Sequence, residues 1–339
     1  MSEIMVLLWG IIGTFVIGTF SVLFGLSVKG IDRKISAHMQ WRIGPPLRQP
    51  FRDVRKLMMK ENVLPKNAVP WIYNTVPVLS LASLLTILLF IPIGSFPPVL
   101  GGAGDILVVL YLLIIPSIAI ILGGYSSGSP FASVGAQREM VLLMSYEFPL
   151  ALVIFTLAWR LNILHPAYPA LSFETFQMFP VWNSVSFVGG IGVGVFLILM
   201  LLVTTAELAK VPFDIPEAET EIAEGVFVEY SGRNYAMFYL GDAVKIVVLS
   251  AIIIAIFFPY NLSPLLVPYL QMSQIAWYTV DLLFFMLKVI ILTVFAVTFL
   301  RTAFSRLKVD QIVRIYWFHM MVAGLVATFL IMIDTMGVF

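Results

Sequence analysis

Seven carboxylates crowd the stretch "AELAKVPFDIPEAETEIAEGVFVEYSGR", which begins at Ala206 directly after an apolar run. They are Glu207, Asp214, Glu217, Glu219, Glu221, Glu224 and Glu229, with only Lys210 interleaved among them. Crowded, partly desolvated carboxylates have raised and coupled proton affinities, so they exchange protons near neutral pH. Val211, Pro212, Phe213 and Ile215 lie between them, which marks a packed segment rather than a flexible one. The pattern predicts a short helix with Asp214 as cap, Glu217 in the capping-box position, Pro216 in the first turn and Gly225 as the stop. On such a helix Glu217, Glu221 and Glu224 share one face, with Glu219 elsewhere. The competing reading is a solvated acidic face, since like charges at i, i+4 oppose helix formation.

Further ionisable groups fall inside apolar runs, where each costs about 2.5–3.5 kcal/mol on insertion scales and calls for a reason. Glu147, in "MSYEF", lies about 10 Å into its run at the helical rise per residue. Lys288 sits near the middle of another run, and Asp281 seven residues earlier lies close to the same face. Glu147 and Lys288 are expected to face a bundle interior, paired or lining a hydrated path. Together with the acidic stretch, Glu147 predicts a proton relay entering the bilayer. Asp242 and Lys245 open a further run, whereas Asp105 and Asp334 sit near boundaries where headgroups can solvate them.

The elements that must position these groups are transmembrane helices. The chain has 339 residues, of which 60% are hydrophobic and 12% charged, with a mean hydropathy of +0.99. Soluble domains carry about 25% charged residues, so this composition belongs to the membrane class. Eight apolar runs have the length that crosses a bilayer, about 4–28, 75–94, 105–123, 140–158, 187–206, 242–258, 277–299 and 316–334. The expected fold is therefore an all-α polytopic membrane protein, one membrane domain over 1–339, with a long basic loop and an acidic loop. The first run lacks a basic start and is too long for a cleavable signal peptide. No internal repeat is visible. The chain has no cysteine, which excludes disulfides and any iron–sulfur cluster held by its own thiolates. His38, His165 and His319 are scattered, at no metal-ligand or haem spacing. No metal or cofactor is expected on this chain.

Basic residues set the orientation. Loop 29–72 holds ten of the chain's 20 Lys and Arg, including Arg33, Arg42, Arg48, Arg52 and Arg55. Arg138, Lys210, Arg233, Arg301, Arg306, Lys308 and Arg314 fall in loops on the same face, against Arg160 alone on the other. The basic face is expected to be cytoplasmic, with both termini outside. Within the loop, Phe51, Val54, Leu57 and Met58 at helical spacing predict an amphipathic interfacial helix. It reads as a lipid-headgroup anchor or as a docking surface for a cytoplasmic protein, with Gly44-Pro45-Pro46 as a rigid turn.

The acidic stretch closely resembles the signature loop of the quinone-chamber membrane subunit of respiratory complex I, which bridges that complex's peripheral and proton-pumping arms. "DRK…MQWRIGP" after the first run, "GAQREMVLLMSYE" at the fourth and the eight-span layout agree in order and spacing. The resemblance covers nearly the whole chain. It implies that Glu147, Glu207, Asp214, Glu217, Glu219, Glu221 and Glu229 form an acidic entrance coupling redox events to proton movement. It also implies that Arg33 and Arg42 face the peripheral arm. Glu224 has no counterpart.

Complex I chains carry an "NRVGPFG"-like insertion that helps shape the quinone entrance. Here "RIGPPLRQPFRDVRKL" runs straight through, and Asp32 stands where glutamate is usual. The short form is similar to the corresponding subunit of membrane-bound energy-converting [NiFe] hydrogenases and sulfane sulfur reductases. That likeness implies a non-redox subunit of a ferredoxin-oxidising complex. Its expected partners are peripheral [NiFe]-hydrogenase-like and Fe–S subunits, antiporter-like membrane subunits and the lipid bilayer, with no nucleic acid. Fe–S clusters and a NiFe centre would reside on those partners. A quinone-chamber subunit is the alternative, and a stand-alone secondary transporter, which calls for inverted repeats, a more distant one.

Overall fold

A computed structural model describes residues 3–102, 104–267 and 273–337, with side chains from Ile11 onward. Twelve α-helices account for the described architecture, and no strand occurs among these residues. In chain order they are α1 (Glu3–Met39), α2 (Gln49–Met59), α3 (Pro70–Ile87), α4 (Asp105–Ser126), α5 (Pro130–Leu164) and α6 (Phe173–Met178). There follow α7 (Phe187–Glu207), α8 (Glu219–Ile222), α9 (Gly232–Phe257), α10 (Ser263–Leu266), α11 (Gln274–Ala303) and α12 (Val309–Thr335). Eight of them, α1, α3, α4, α5, α7, α9, α11 and α12, are long and apolar enough to cross a membrane. The chain is a multi-pass membrane protein.

Local sequence chemistry sets the helix starts. α2, α3 and α5 each begin with a proline in the first turn, where a missing N–H costs nothing. Pro77, Pro116 and Pro149 lie inside α3, α4 and α5, which neighbouring helices tolerate in a membrane bundle. α2 is the amphipathic helix expected in the basic loop; it packs against α1 and α9.

The spans run longer than their apolar cores. α1 continues to Met39, so Asp32, Arg33 and Ser36 stand on helix rather than in loop 29–72. α5 starts at Pro130, ten residues before the expected boundary, and carries Arg138 and Glu139. α9 starts at Gly232 and carries Arg233. In each case the extra turns carry a charge that interrupts the apolar run, such as Asp32, Arg138 or Arg233.

α9 is the axis of the bundle: 89% of its apolar window is buried, against 28–56% for the other spans. Small residues let neighbours reach it. A Cβ on Gly25 of α1 would collide with the Ala243 carbonyl of α9. This close approach places Lys29, one turn along α1, beside Asp242.

Candidate functional site

A cavity of about 190 Å³ lies at the basic-face end of α9, walled by α1, α3, α4, α5 and the acidic segment. Its lining carries four cations, Lys29, Arg33, Lys210 and Lys245, and four carboxylates, Glu139, Glu207, Glu217 and Asp242. The balance of sign explains how so many ionisable groups coexist out of bulk water.

Asp242 is the hub on α9. Its Oδ2 accepts from Lys29 Nζ at 2.8 Å and from Lys210 Nζ at 3.0 Å. The Lys29 ammonium also stacks over the Tyr239 ring, 3.6 Å from its centroid. Burial alone would lower the Lys210 pKa, but Asp242 and Glu217 outweigh it and hold the ammonium above its ordinary value. For Glu217 burial wins over Lys210, and its carboxyl is pushed up from the ordinary range. Glu217 therefore takes up a proton more readily than a solvated glutamate.

One turn along α9 from Asp242, Lys245 meets the last residue of α7. Lys245 Nζ lies 2.8 Å from Glu207 Oε1, with the two side chains 6% and 3% exposed. The contact is charge against charge rather than an aligned hydrogen bond, and Oε1 has no hydrogen-bond partner. Glu139 of α5 neighbours the same pair and is itself buried.

Glu207 also lines a second cavity of about 130 Å³ between α4 and α5. Glu147, Tyr146 and Tyr111 lie on its wall. Tyr146 is buried, with its hydroxyl 3.1 Å from Ser117 Oγ, while Tyr111 is 72% exposed on the outer surface of the bundle. Glu207 thus borders both a charged cavity near the basic face and a smaller one that reaches Glu147. Among the described residues no cluster of three His, Asp or Glu is arranged to hold a metal ion.

The structure sorts the expected relay residues. It brings Glu207, Glu217 and Glu147 onto the two cavities. The others lie outside them. Asp214 does not cap a helix; its Oδ2 takes Arg306 Nε at 2.8 Å, tying the acidic segment to the α11–α12 connection. Burial raises its pKa although Arg306 opposes it. Glu221 is exposed and paired with Arg138 at 2.6 Å, and Glu219 and Glu224 are exposed. At Glu229 it is the backbone carbonyl that is used, accepting from Tyr73 at 2.6 Å.

The expected helix from Asp214 to Gly225 is replaced by the single turn α8, with Ala218 in the capping position. Ala223, Glu224 and Gly225 all have positive φ, at 49°, 71° and 55°. Gly225 needs its missing side chain, because a Cβ there would strike the Pro216 carbonyl. Four glutamates within eight residues repel on a common helix, and the packed Val211–Pro216 stretch bends the chain away.

Asp281 and Lys288, which lie close to one face of α11, take separate hydrogen-bond partners. Asp281 accepts from Ser95 and Ser263 hydroxyls and from the Leu262 and Ser263 amides, a structural knot at the outer end of α11. Lys288 donates to the carbonyls of Phe258 and Tyr260, at 3.0 and 2.9 Å, just past the end of α9. Arg160 and Asp334 are not isolated boundary charges. They pair at 3.0 Å, 4% and 5% exposed, and join α5 to α12.

Of the basic residues, Arg33 reaches Asp53 of α2 at 3.0 Å. Arg42, Arg48, Arg52 and Arg55 are exposed, beside the fully exposed Trp41 and Ile43. Glu139 and Lys29 escaped the sequence reading as site residues. A signal existed for Glu139, which precedes Tyr146 by two helical turns on one face of α5.

The fold and the charged bundle interior define a class of membrane subunit. The family model described as NADH dehydrogenase matches residues 12–332, and the chain belongs to that family as a complex I-type membrane subunit of the H kind. Among curated proteins it is 32% identical over 310 residues to the H subunit of the NADH-quinone oxidoreductase of Anaplasma phagocytophilum (strain HZ), covering 85% of each chain. It is 29% identical over 340 residues to the like-named subunit from Salinibacter ruber (strain DSM 13855 / M31), covering 96% of this chain and 95% of that one. Among solved structures it is similar to a chain of the membrane-bound sulfane sulfur reductase, an archaeal respiratory membrane complex. That match has a TM-score of 0.79 and 27% identity, covering 96% of this chain and 99% of the other.

Proposed function

We propose that this chain is the non-redox membrane subunit of a multi-subunit, hydrogenase-like respiratory complex that oxidises ferredoxin. In this reading it seats the peripheral electron-transfer arm and couples its redox reaction to proton or ion movement. The observation that carries the reading is Glu207, a buried carboxylate shared by two cavities and held by Lys245, with one oxygen left without a hydrogen-bond donor. Both cavities have room for water, and Glu207 borders each of them. Water there would link Glu217 and the Asp242 hub on one side to Glu147 on the other.

The peripheral [NiFe]-hydrogenase-like and Fe–S subunits would dock on the basic face, at Arg42, Arg48, Arg52 and Arg55 with the exposed Trp41 and Ile43. Antiporter-like membrane subunits would meet the surface where Glu147 approaches the outside of the bundle. The redox centres, Fe–S clusters and a NiFe-type site, belong to the partners. In this reading the basic face lies in the cytoplasm and both termini outside, the orientation that the Lys and Arg bias favours.

The names of the curated relatives favour a second reading, a quinone-chamber subunit. Against it stands the chemistry of the larger cavity. Eight charged side chains around about 190 Å³ suit water and protons better than an apolar quinone, whose pockets run to about 300–1,000 Å³ and are mostly apolar.

Purification of the tagged complex from native membranes, with nickel and iron analysis, separates these readings. Nickel with abundant iron supports the hydrogenase type. Iron without nickel leaves sulfane reduction and quinone reduction, to be told apart by acceptor assays. The relay itself is tested by Glu147→Gln and Glu217→Gln, each expected to preserve electron transfer in detergent while ion pumping in vesicles falls at least about tenfold. Normal pumping in both variants refutes the relay.

A further inference from the structure

On the outer surface of the bundle, α7 and α11 enclose a groove of about 400 Å³. Leu197 and Leu201 form one wall, and Ile291, Leu292 and Phe295 the other. Ile291 and Phe295 are 45% and 62% exposed, so the groove opens to the surroundings of the bundle. Its only charged lining residue is Lys288, at the end nearer the face opposite the basic loop.

The state of that lysine is unusual. Its ammonium donates to two neutral carbonyls, of Phe258 and Tyr260, which orient it without neutralising it. No carboxylate of the described residues lies within 4.0 Å of it. Asp281, the acid on the same helix, is already engaged by four donors. A cation at the edge of an apolar region is favoured only when it is paired or reaches the interface. Side chains on a helix tilt toward its N-terminus, so Lys288 reaches toward the nearer membrane surface. From Lys288 to Phe295 the groove runs seven residues of helix, about 10 Å.

One chemistry complements both parts: an anionic head for the unpaired ammonium and a hydrocarbon tail for the channel behind it. We propose that the α7–α11 groove is a binding site for an anionic phospholipid of the surrounding bilayer. The phosphate sits against Lys288, and one chain lies along Leu197, Leu201 and Ile291. A helix of a partner subunit is a poorer fit, because close helix approach uses small residues and this wall presents phenylalanine and leucine.

The test uses the purified complex in mild detergent after delipidation. Thermal denaturation and native mass spectrometry follow titration with phosphatidylglycerol, phosphatidylcholine or inorganic phosphate. Phosphatidylglycerol is expected to stabilise and to remain bound, with phosphatidylcholine about tenfold weaker and phosphate alone without effect. Lys288→Met should erase the preference between the two lipids. Leu201→Trp, which fills the groove and leaves Lys288 intact, should reduce binding of both. Unchanged phosphatidylglycerol binding in both variants overturns the proposal. So does equal stabilisation by inorganic phosphate, or a photoreactive residue at position 291 that crosslinks to a polypeptide in native membranes instead of to lipid.

Discussion

Replacing Lys245 by methionine removes the counter-charge of Glu207 while keeping side-chain length and apolar stem. At an N–O separation of 2.8 Å, the attraction amounts to about 6 kcal/mol for an effective dielectric near 20. Desolvation of the two ions, several kcal/mol each, offsets most of that. The net worth of the intact pair is therefore small, but losing one partner is not, since the other charge stays buried. Lys245→Met is expected to destabilise the protein by about 3–5 kcal/mol. Adding Glu207→Gln removes the stranded charge and should recover most of the loss, giving an interaction energy near the top of the usual range of about 0.5–3 kcal/mol. Thermal denaturation of the purified complex in mild detergent measures this cycle. Proton uptake by reconstituted vesicles adds a second readout: the double variant, stable but without a titratable group at 207, should assemble and not pump. Two results refute the reasoning: Lys245→Met as stable as the wild type, or a double variant that pumps normally.

Three further outcomes follow from the same geometry. Glu217 has a folded-state pKa raised above its ordinary 4.5, so the native state binds the extra proton and stability falls as pH climbs from about 4.5 through the raised value. The melting temperature of Glu217→Gln should then gain on the wild type across that window; a difference independent of pH contradicts this. Gly25→Val drives a side chain into the Ala243 carbonyl, an overpacking cost of about 1–3 kcal/mol or more, and should lower assembly, whereas Gly194→Val, at a position with open space around it, should assemble at wild-type yield. Arg138→Ala breaks a pair whose glutamate is 54% exposed. It should cost less than about 1 kcal/mol and leave pumping unchanged.

Much of this protein could be read along the chain, because a bilayer imposes length and polarity on every span. All eight spans were legible for that reason, and α2 was legible from Phe51, Val54 and Leu57 at helical spacing. The helix ends were not. The turn of Asp32 and Arg33 in α1, and the three turns before Met140 in α5, carry charges that interrupt the apolar run, and hydropathy assigns them to loops. Glu139 disappeared from view with them.

The acidic segment shows a deeper difficulty. Its capping signature at Asp214 and Glu217 was real as a pattern, yet Asp214 pairs with Arg306, 92 residues away, and Glu217 lines the charged cavity. A local motif competes with every charge that the fold brings near, and here the long-range pairing with Arg306 wins. The same reasoning explains Lys288. Asp281, two turns earlier on the same helix, is engaged by Ser95, Leu262 and Ser263, and the Lys288 ammonium donates to two carbonyls. Charge is thus visible in a sequence by address, whereas its role depends on what lies across the bundle. The two cavities bring α5, α7 and α9 together around Glu207 at right angles to the chain, and that is the direction the sequence does not display.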